Sequence, residues 1–170
     1  MIGGPTVGKE IKLVTRVVGI GDLVVSDDPN EMLVTYSLGS CLGVSFYDEE
    51  ARVGGLMHCM LPISKTNEDR ARATPGIFVD SGIVAILGEL YRRGARAESL
   101  RVKLAGAAST MDENGRFQIG HRNHTVARKL LWKNSLMISS EDVGGTLPRT
   151  MRLYMNEGRT TIATGGEREL

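Results

Sequence analysis

Cysteine is scarce: Cys41 and Cys59 are the only two in 170 residues. A disulfide framework is thereby excluded, and in a reducing compartment such a pair is expected to remain thiols. Neither sign of charge is in excess. Lys+Arg 21 against Asp+Glu 20 leaves a formal net charge of +1, which removes the electrostatic case for a dedicated nucleic-acid binder or an anionic-membrane binder. No stretch reaches the roughly 18 apolar residues of a membrane span, and the start, MIGGPTVGKEIKLVTRVVGIGD, lacks the apolar run of a signal sequence, so a cytoplasmic protein without membrane insertion is expected. No glycine-rich phosphate loop follows a strand pattern, which leaves nucleotide binding without support, and no cofactor is implied. Repeats and interdomain linkers are also missing. With 41% hydrophobic residues the chain can bury a core unaided, so one domain over 1–170 is expected, with loose tails at 1–9 and 165–170.

What is present begins with short β-branched and apolar segments: Ile11 to Val18, Leu23 to Ser26, Met32 to Tyr36, Leu42 to Tyr47 and Val53 to Leu61 read as strands. Asp80 then opens SGIVAILGELYRRG, where Ile83, Leu87, Leu90 and Tyr91 recur at helical spacing; Asp80 is the expected cap and Gly94 the expected stop. LRVKLAG at 100–106 alternates as a half-buried strand does. A second helix is expected over HTVARKLLWKN, capped by Asn123 and stopped by a left-handed Asn134, followed by strands in SLMIS, TMRLYMN and RTTIAT. Many strands with two helices imply a layered α/β or α+β domain in which helices cover a sheet.

TYSLGSCLGVSFYD sets Cys41 directly after Leu-Gly-Ser, a tight turn at the edge of an apolar strand that presents the sulfur. Glycine beside a nucleophile permits close backbone approach, and free N–H groups at a turn both lower a thiol pKa and bind an oxyanion. A cysteine taken alone is more often a small buried hydrophobe. His58 lies in VGGLMHCMLP, and burying its ring among Leu56, Met57, Met60 and Leu61 without hydrogen bonds would cost about 2 kcal/mol, so a partner is expected. For one histidine that partner is commonly structural. A cysteine and a histidine on neighbouring strands together suggest a nucleophile and its base.

Cys59 follows His58, and successive strand side chains point to opposite faces. If His58 faces Cys41, Cys59 faces away, which argues against a Cys41–Cys59 disulfide and against a zinc held by all three. No metal is expected. Thr35, in the preceding strand, is the local candidate to orient the imidazole, although threonine in a strand is ordinarily just a strand former.

Taken in order, VTYSLGSCLGVSFYD, GGLMHCMLP, VDSGI before a helix, KLAGAAS, IGHRN and EDVGGTLPR resemble the chemoreceptor glutamine deamidases of the CheD family over roughly residues 15 to 165. The most specific elements are the GSC turn and the H-x-M-L-P run, spaced 58 − 41 = 17 residues apart. The chain departs from the usual pattern at Tyr36-Ser37, Met57 and Cys59. The resemblance implies an α/β/α layered sandwich with a mixed, mainly antiparallel sheet, related to the cytotoxic necrotizing factor deamidases, and a catalytic set of Cys41, His58 and Thr35. It implies receptor helices as substrates and a CheC-type phosphatase as partner, with methylesterase activity as a second reaction open to the same acyl-enzyme. Backbone groups from Ser40 to Leu42 are the expected oxyanion donors, and Gly54-Gly55 with Leu61-Pro62 the expected wall of a shallow substrate groove. Asp80, Arg122, Asn123, Gly144, Gly145 and Arg149 also match family motifs but have structural explanations as caps, turns and loop ties. The rival readings are a non-catalytic module that docks on receptors or a phosphatase, and a cysteine hydrolase acting on an unrelated amide. The basic stretch YRRGARAESLR is expected to be a solvated helix end.

Overall fold

The β-branched segments become strands because each can bury one or both faces. A computed structural model describes residues 12–109 and 115–170; Ile11 and the expected tail at 1–9 lie outside the described residues. Its strands are β1 (Val14–Val17), β2 (Leu23–Ser26), β3 (Glu31–Leu38), β4 (Leu42–Asp48), β5 (Val53–Cys59), β6 (Leu100–Gly106), β7 (Ile138–Val143), β8 (Arg149–Tyr154), β9 (Arg159–Ala163) and β10 (Glu167–Glu169). They form two sheets, ordered β1-β3-β8-β9-β10 and β2-β5-β4-β6-β7. Pairing is antiparallel except between β1 and β3 and between β6 and β7.

One core lies between the sheets, where Leu33, Leu38, Met151, Leu153 and Ile162 of the first meet Tyr47, Leu56 and Ala105 of the second. The other face of the second sheet packs Val44, Phe46, Met57 and Leu104 against Ile83, Ile86 and Leu90 of α2 (Val79–Arg92) and Ala127 and Leu131 of α3 (Ile119–Lys133). The class is the expected mixed α/β with mainly antiparallel pairing. Its layers, however, run sheet, sheet, helices, so a second sheet stands where the expected sandwich had a second helical layer. Being covered on both faces, β4 and β5 are buried at every residue and read as continuous apolar runs, not as alternating ones.

Several local expectations are corrected. Asp80 sits inside the first turn of α2, which is capped by the Phe78 backbone, and its carboxylate accepts from Ser64 N (2.8 and 3.1 Å) and Ser64 Oγ (2.9 Å), fastening the chain that leaves β5. Helix α1 (Glu68–Ala73), which is not among the expected elements, lies in that same connection. Helix α3 begins at Ile119 behind a left-handed Gln118, so Asn123 is interior to it and not its cap. At its end Ser135 (φ 59°), not Asn134, takes the left-handed conformation, and Leu136 N closes on Leu131 O at 2.9 Å. That stop uses up residues 135–137 and moves β7 to a later start than SLMIS implies. Gly94 does end α2 with φ 94°, as expected. The expected C-terminal tail instead contains β10, paired antiparallel with β9, and Leu170 N donates to Thr160 O at 2.9 Å.

Candidate active site

Thr35 on β3 and His58 on β5 belong to different sheets and meet across the core between them. Their side chains are 0% and 2% exposed, and Thr35 Oγ1 lies 2.7 Å from His58 Nδ1. The threonine has one proton to give, and it points to the Val18 carbonyl at 2.7 Å, which can only accept. Oγ1 is therefore the acceptor toward the ring, Nδ1 carries the imidazole proton, and Nε2 is left as the bare basic nitrogen. Nε2 is buried and has no hydrogen-bond partner among the described residues. The backbone of 19–22 folds over the same strand: Gly21 N donates to His58 O at 2.8 Å and His58 N to Asp22 O at 3.1 Å.

Strand register brings Cys41 to this face. Gly43 stands opposite His58, and Cys41, the residue just before β4, packs partly buried against the same core between the sheets into which His58 faces. Gly43 has a packing reason to be glycine, because a Cβ there would come within 2.7 Å of Leu38 Cδ1 and 3.1 Å of Met151 Sδ. Cys59 occupies the opposite face, fully buried in the helix-side core, while half-buried Cys41 packs against the core between the sheets. Thus the alternation along β5 divides its two adjacent functional residue types between two environments.

Electrostatically the pair rests neutral. Burial pushes the Cys41 thiol above its ordinary 9.0, with its own backbone N–H only partly opposing the rise. This reverses the expectation that the turn lowers the thiol pKa. Burial likewise pushes His58 down to about 4, against a smaller opposing pull from Asp22. A thiol and a neutral imidazole are suited to proton transfer during attack, with Nε2 as base, in place of a preformed thiolate. The expected labelling pattern follows: at neutral pH iodoacetamide alkylates Cys41 slowly, faster as the pH is raised past 9, and Cys59, whose thiol is pushed well above 9.0 and is wholly buried, only on unfolding. Peptide mass mapping after timed labelling checks this, and rapid neutral modification of either cysteine would contradict it.

The turn that carries Cys41 is clamped through its carbonyls. Ala108 N donates to Gly39 O (2.8 Å), Asn123 Nδ2 to Ser40 O (3.0 Å) and Ala107 N to Cys41 O (2.8 Å). Ser40 is half-buried in the turn, whereas Leu42 opens β4 with its side chain in the helix-side core. Gly55 does not belong here: a Cβ on it would meet Ile86 Cδ1 at 3.0 Å on the helix side, so the expected substrate-facing role is corrected to close packing of α2 on β5. Gly54 faces the other way, toward Tyr47 and Met155.

Asn123, expected as a helix cap, instead spends its side chain on the turn that carries Cys41. It stands four residues before Ala127 and eight before Leu131, on the stripe of α3 that is buried, and a polar residue on such a stripe is paired with something distant. Arg149 and the Gly144-Gly145 turn have the structural roles expected: Arg149 Nη2 pairs with Asp142 Oδ1 at 2.8 Å, and both glycines have positive φ. Glu141, by contrast, is engaged by His124 (2.9 Å) and Arg128 (3.8 Å), leaving Arg122 exposed at the surface. Among the described residues, no three of His, Cys, Asp and Glu converge as metal ligands would, and no helix is long and apolar enough to cross a membrane.

Comparison with known proteins adds a family to this geometry. The family model described as CheD chemotactic sensory transduction matches residues 60–164. "Probable chemoreceptor glutamine deamidase CheD 1" of Syntrophus aciditrophicus (strain SB) is 43% identical over 150 residues, covering 88% of this chain and 94% of the relative. "Probable chemoreceptor glutamine deamidase CheD 2" of Anaeromyxobacter dehalogenans (strain 2CP-C) is 44% identical with the same coverage. The crystal structure of Neisseria meningitidis protein NMB0706, of family-model DUF152, aligns over 81% of this chain and 65% of that one at 11% identity, with a TM-score of 0.45, a likeness too distant to argue from. With most of its length shared with these relatives at this level of identity, and with the family model matching residues 60–164, the chain belongs to the CheD family.

Proposed function

We propose that this protein is a chemoreceptor glutamine deamidase that works through Cys41, His58 and Thr35. The observation that carries the reading is the Thr35–His58 hydrogen bond of 2.7 Å, with the threonine proton committed to Val18, since it leaves Nε2 as the ring's base on the face that also presents Cys41. The names of the relatives supply the substrate class, glutamine side chains of chemoreceptors.

In the proposed cycle Cys41 Sγ attacks the carboxamide carbon as its proton passes to His58 Nε2. The carbonyl oxygen becomes an oxyanion held by N–H groups of the 40–41 turn. Nε2 returns the proton to the amide nitrogen, the C–N bond breaks, and ammonia leaves behind a thioester. Water then attacks with Nε2 again as base, the C–S bond breaks, and glutamate and the free thiol are released. Thr35 keeps the ring in one tautomer through both halves. A glutamate methyl ester would enter the same acyl-enzyme with methanol as the leaving group. The CheC-type phosphatase remains the partner implied by family membership, and co-purification of the two proteins tests it.

Incubation of wild-type protein with a chemoreceptor cytoplasmic fragment is expected to add about 1 Da at discrete glutamines, read by peptide mass spectrometry, with ammonia released in equal amount. A fragment that binds and shows no gain would instead support a docking module, and turnover of small amides without turnover of receptor would support an unrelated hydrolase.

A further inference from the structure

We infer that Asn123 is a positioning residue of this reaction, locking the nucleophile turn to the end of the strand that carries His58. The inference rests on the deamidase reading and adds to it a residue far from Cys41 in sequence. Asn123 is 0% exposed in the interior of α3, and its single NH2 group donates both of its protons outward: one to Ser40 O at 3.0 Å, the other to Met60 O at 3.1 Å. Ser40 precedes the nucleophile, and Met60 lies two residues beyond His58. One amide thus fixes both halves of the candidate catalytic pair in a common frame. The orientation of the amide is unambiguous, because flipping it would set Oδ1 against two carbonyl oxygens.

Two further observations point the same way. Asn123 Oδ1 is buried without a hydrogen-bond partner among the described residues, a cost that a helix would shed by carrying an apolar residue at this position if packing were the only requirement. The helix is also pressed onto the clamp itself: a Cβ on Gly120 would come within 2.6 Å of the carbonyl carbon and oxygen of Ala107, whose N–H holds Cys41 O. With the carbonyls of residues 39, 40 and 41 bound on the side of β6 and α3, the N–H groups in the same trans peptides are directed the opposite way. Of these, the Ser40 and Cys41 N–H groups precede β4 and are the donors that an oxyanion formed at Cys41 requires, whereas Leu42 N–H lies within β4 opposite Cys59. Asn123 holds the middle one of the three peptides, so its loss frees the Ser40–Cys41 peptide to turn about its long axis and withdraw the Cys41 N–H.

Asn123→Ser, which can donate to only one of the two carbonyls, and Asn123→Ala, which donates to neither, test this. Amide hydrogen exchange of the peptide spanning 37–43 is expected to accelerate at least about tenfold in Asn123→Ala and less in Asn123→Ser, whatever the turnover. On the receptor fragment, kcat is expected to fall about 10²–10³-fold in Asn123→Ala with KM within about threefold of wild type. Cys41 alkylation by iodoacetamide, which forms no oxyanion and loses only the contact of the Cys41 N–H with its own sulfur, should slow by less than about tenfold, well short of the fall in kcat. Unchanged exchange overturns the inference, as does faster exchange with undiminished kcat. A parallel fall in kcat and in alkylation overturns the oxyanion role by showing general disorder of the site. If wild type itself releases no ammonia, the deamidase reading fails, and the exchange measurement then decides the clamp alone. Asn123→Ser retains one of the two bonds, so it keeps these readouts available should Asn123→Ala fold poorly.

Discussion

Cys41→Ala is expected to abolish ammonia release from a receptor fragment, and His58→Gln to lower it by about 10³-fold or more, with both variants folded and still able to bind the fragment. The size of the effect follows from the resting state of the pair. A thiol held above its ordinary 9.0 by burial is a poor nucleophile until its proton is taken, and Nε2, basic and without a hydrogen-bond partner among the described residues, is the group proposed to take it. Glutamine at 58 can still donate to Thr35 but has no basic nitrogen, so it separates the chemistry of the ring from its structural role. The same arrangement sets the pH profile. With His58 at about 4 and the thiol above 9.0, kcat/KM is expected to stay level between those limits and fall on the acid side near pH 4. Stopped assays for ammonia in overlapping buffers give the profile. An acid limb near pH 6.5, where an unburied imidazole titrates, would sink the buried neutral base.

Stability should fall by about 2 to 3 kcal/mol between pH 6.5 and pH 4 through His58 alone. The sign follows from proton uptake. His58 is lowered from 6.5 to about 4 by burial in the folded protein, so between those values the unfolded chain binds a proton that the folded chain refuses. Proton binding lowers the free energy of the unfolded state as the pH drops through this window, and the folded state has no such stabilisation. Above pH 6.5 the contribution is level; below about 4 it is fully lost. Carboxylate effects come lower: burial would raise the Asp48 pKa, but the Ser99 hydroxyl and the N–H groups of Ala51, Arg96 and Glu50 outweigh it and hold it below 3.8. Urea unfolding at half-unit steps from pH 7.5 to 4.5 measures the slope, and His58→Gln should flatten it. An equal slope in the variant would show that other groups dominate acid unfolding.

The local rules that made the site legible were those that act within one strand or turn. Alternation alone separates His58 from Cys59, and both lie on opposite faces of β5. The glycine and serine before Cys41 mark the turn, and the apolar run around His58 marks its burial. Thr35 reads as an ordinary strand residue until β3 and β5 are placed in facing sheets, a relation no neighbouring residue encodes. The misreadings share one cause. Asp80, Asn123 and Asn134 are all residue types that cap or stop helices, and each lies near a helix end, but the first two spend their side chains on Ser64 and on Ser40 with Met60. A polar side chain that satisfies its own helix and one that satisfies a distant segment look alike in sequence. The second sheet was hidden for a related reason: a fully buried apolar strand does not say whether a helix or another sheet covers it. Charge and paired glycines made 165–170 look solvated, although β10 can pair with β9 through its backbone whatever its side chains are.

β5 is a wall common to two cores. Val53, Met57 and Cys59 press toward α2 while Leu56 and His58 look into the seam between the sheets, where the imidazole meets Thr35. A strand cannot shift for one set of neighbours and stay fixed for the other. A methylene gained or lost on the helix side, at Met57 or Ile86, therefore registers on the far side as a change in the height of the imidazole relative to the thiol. Turnover in this protein should thus be a more sensitive gauge of helix packing than melting temperature is, and sequence drift under α2 offers a way to retune the rate without touching a residue that meets substrate.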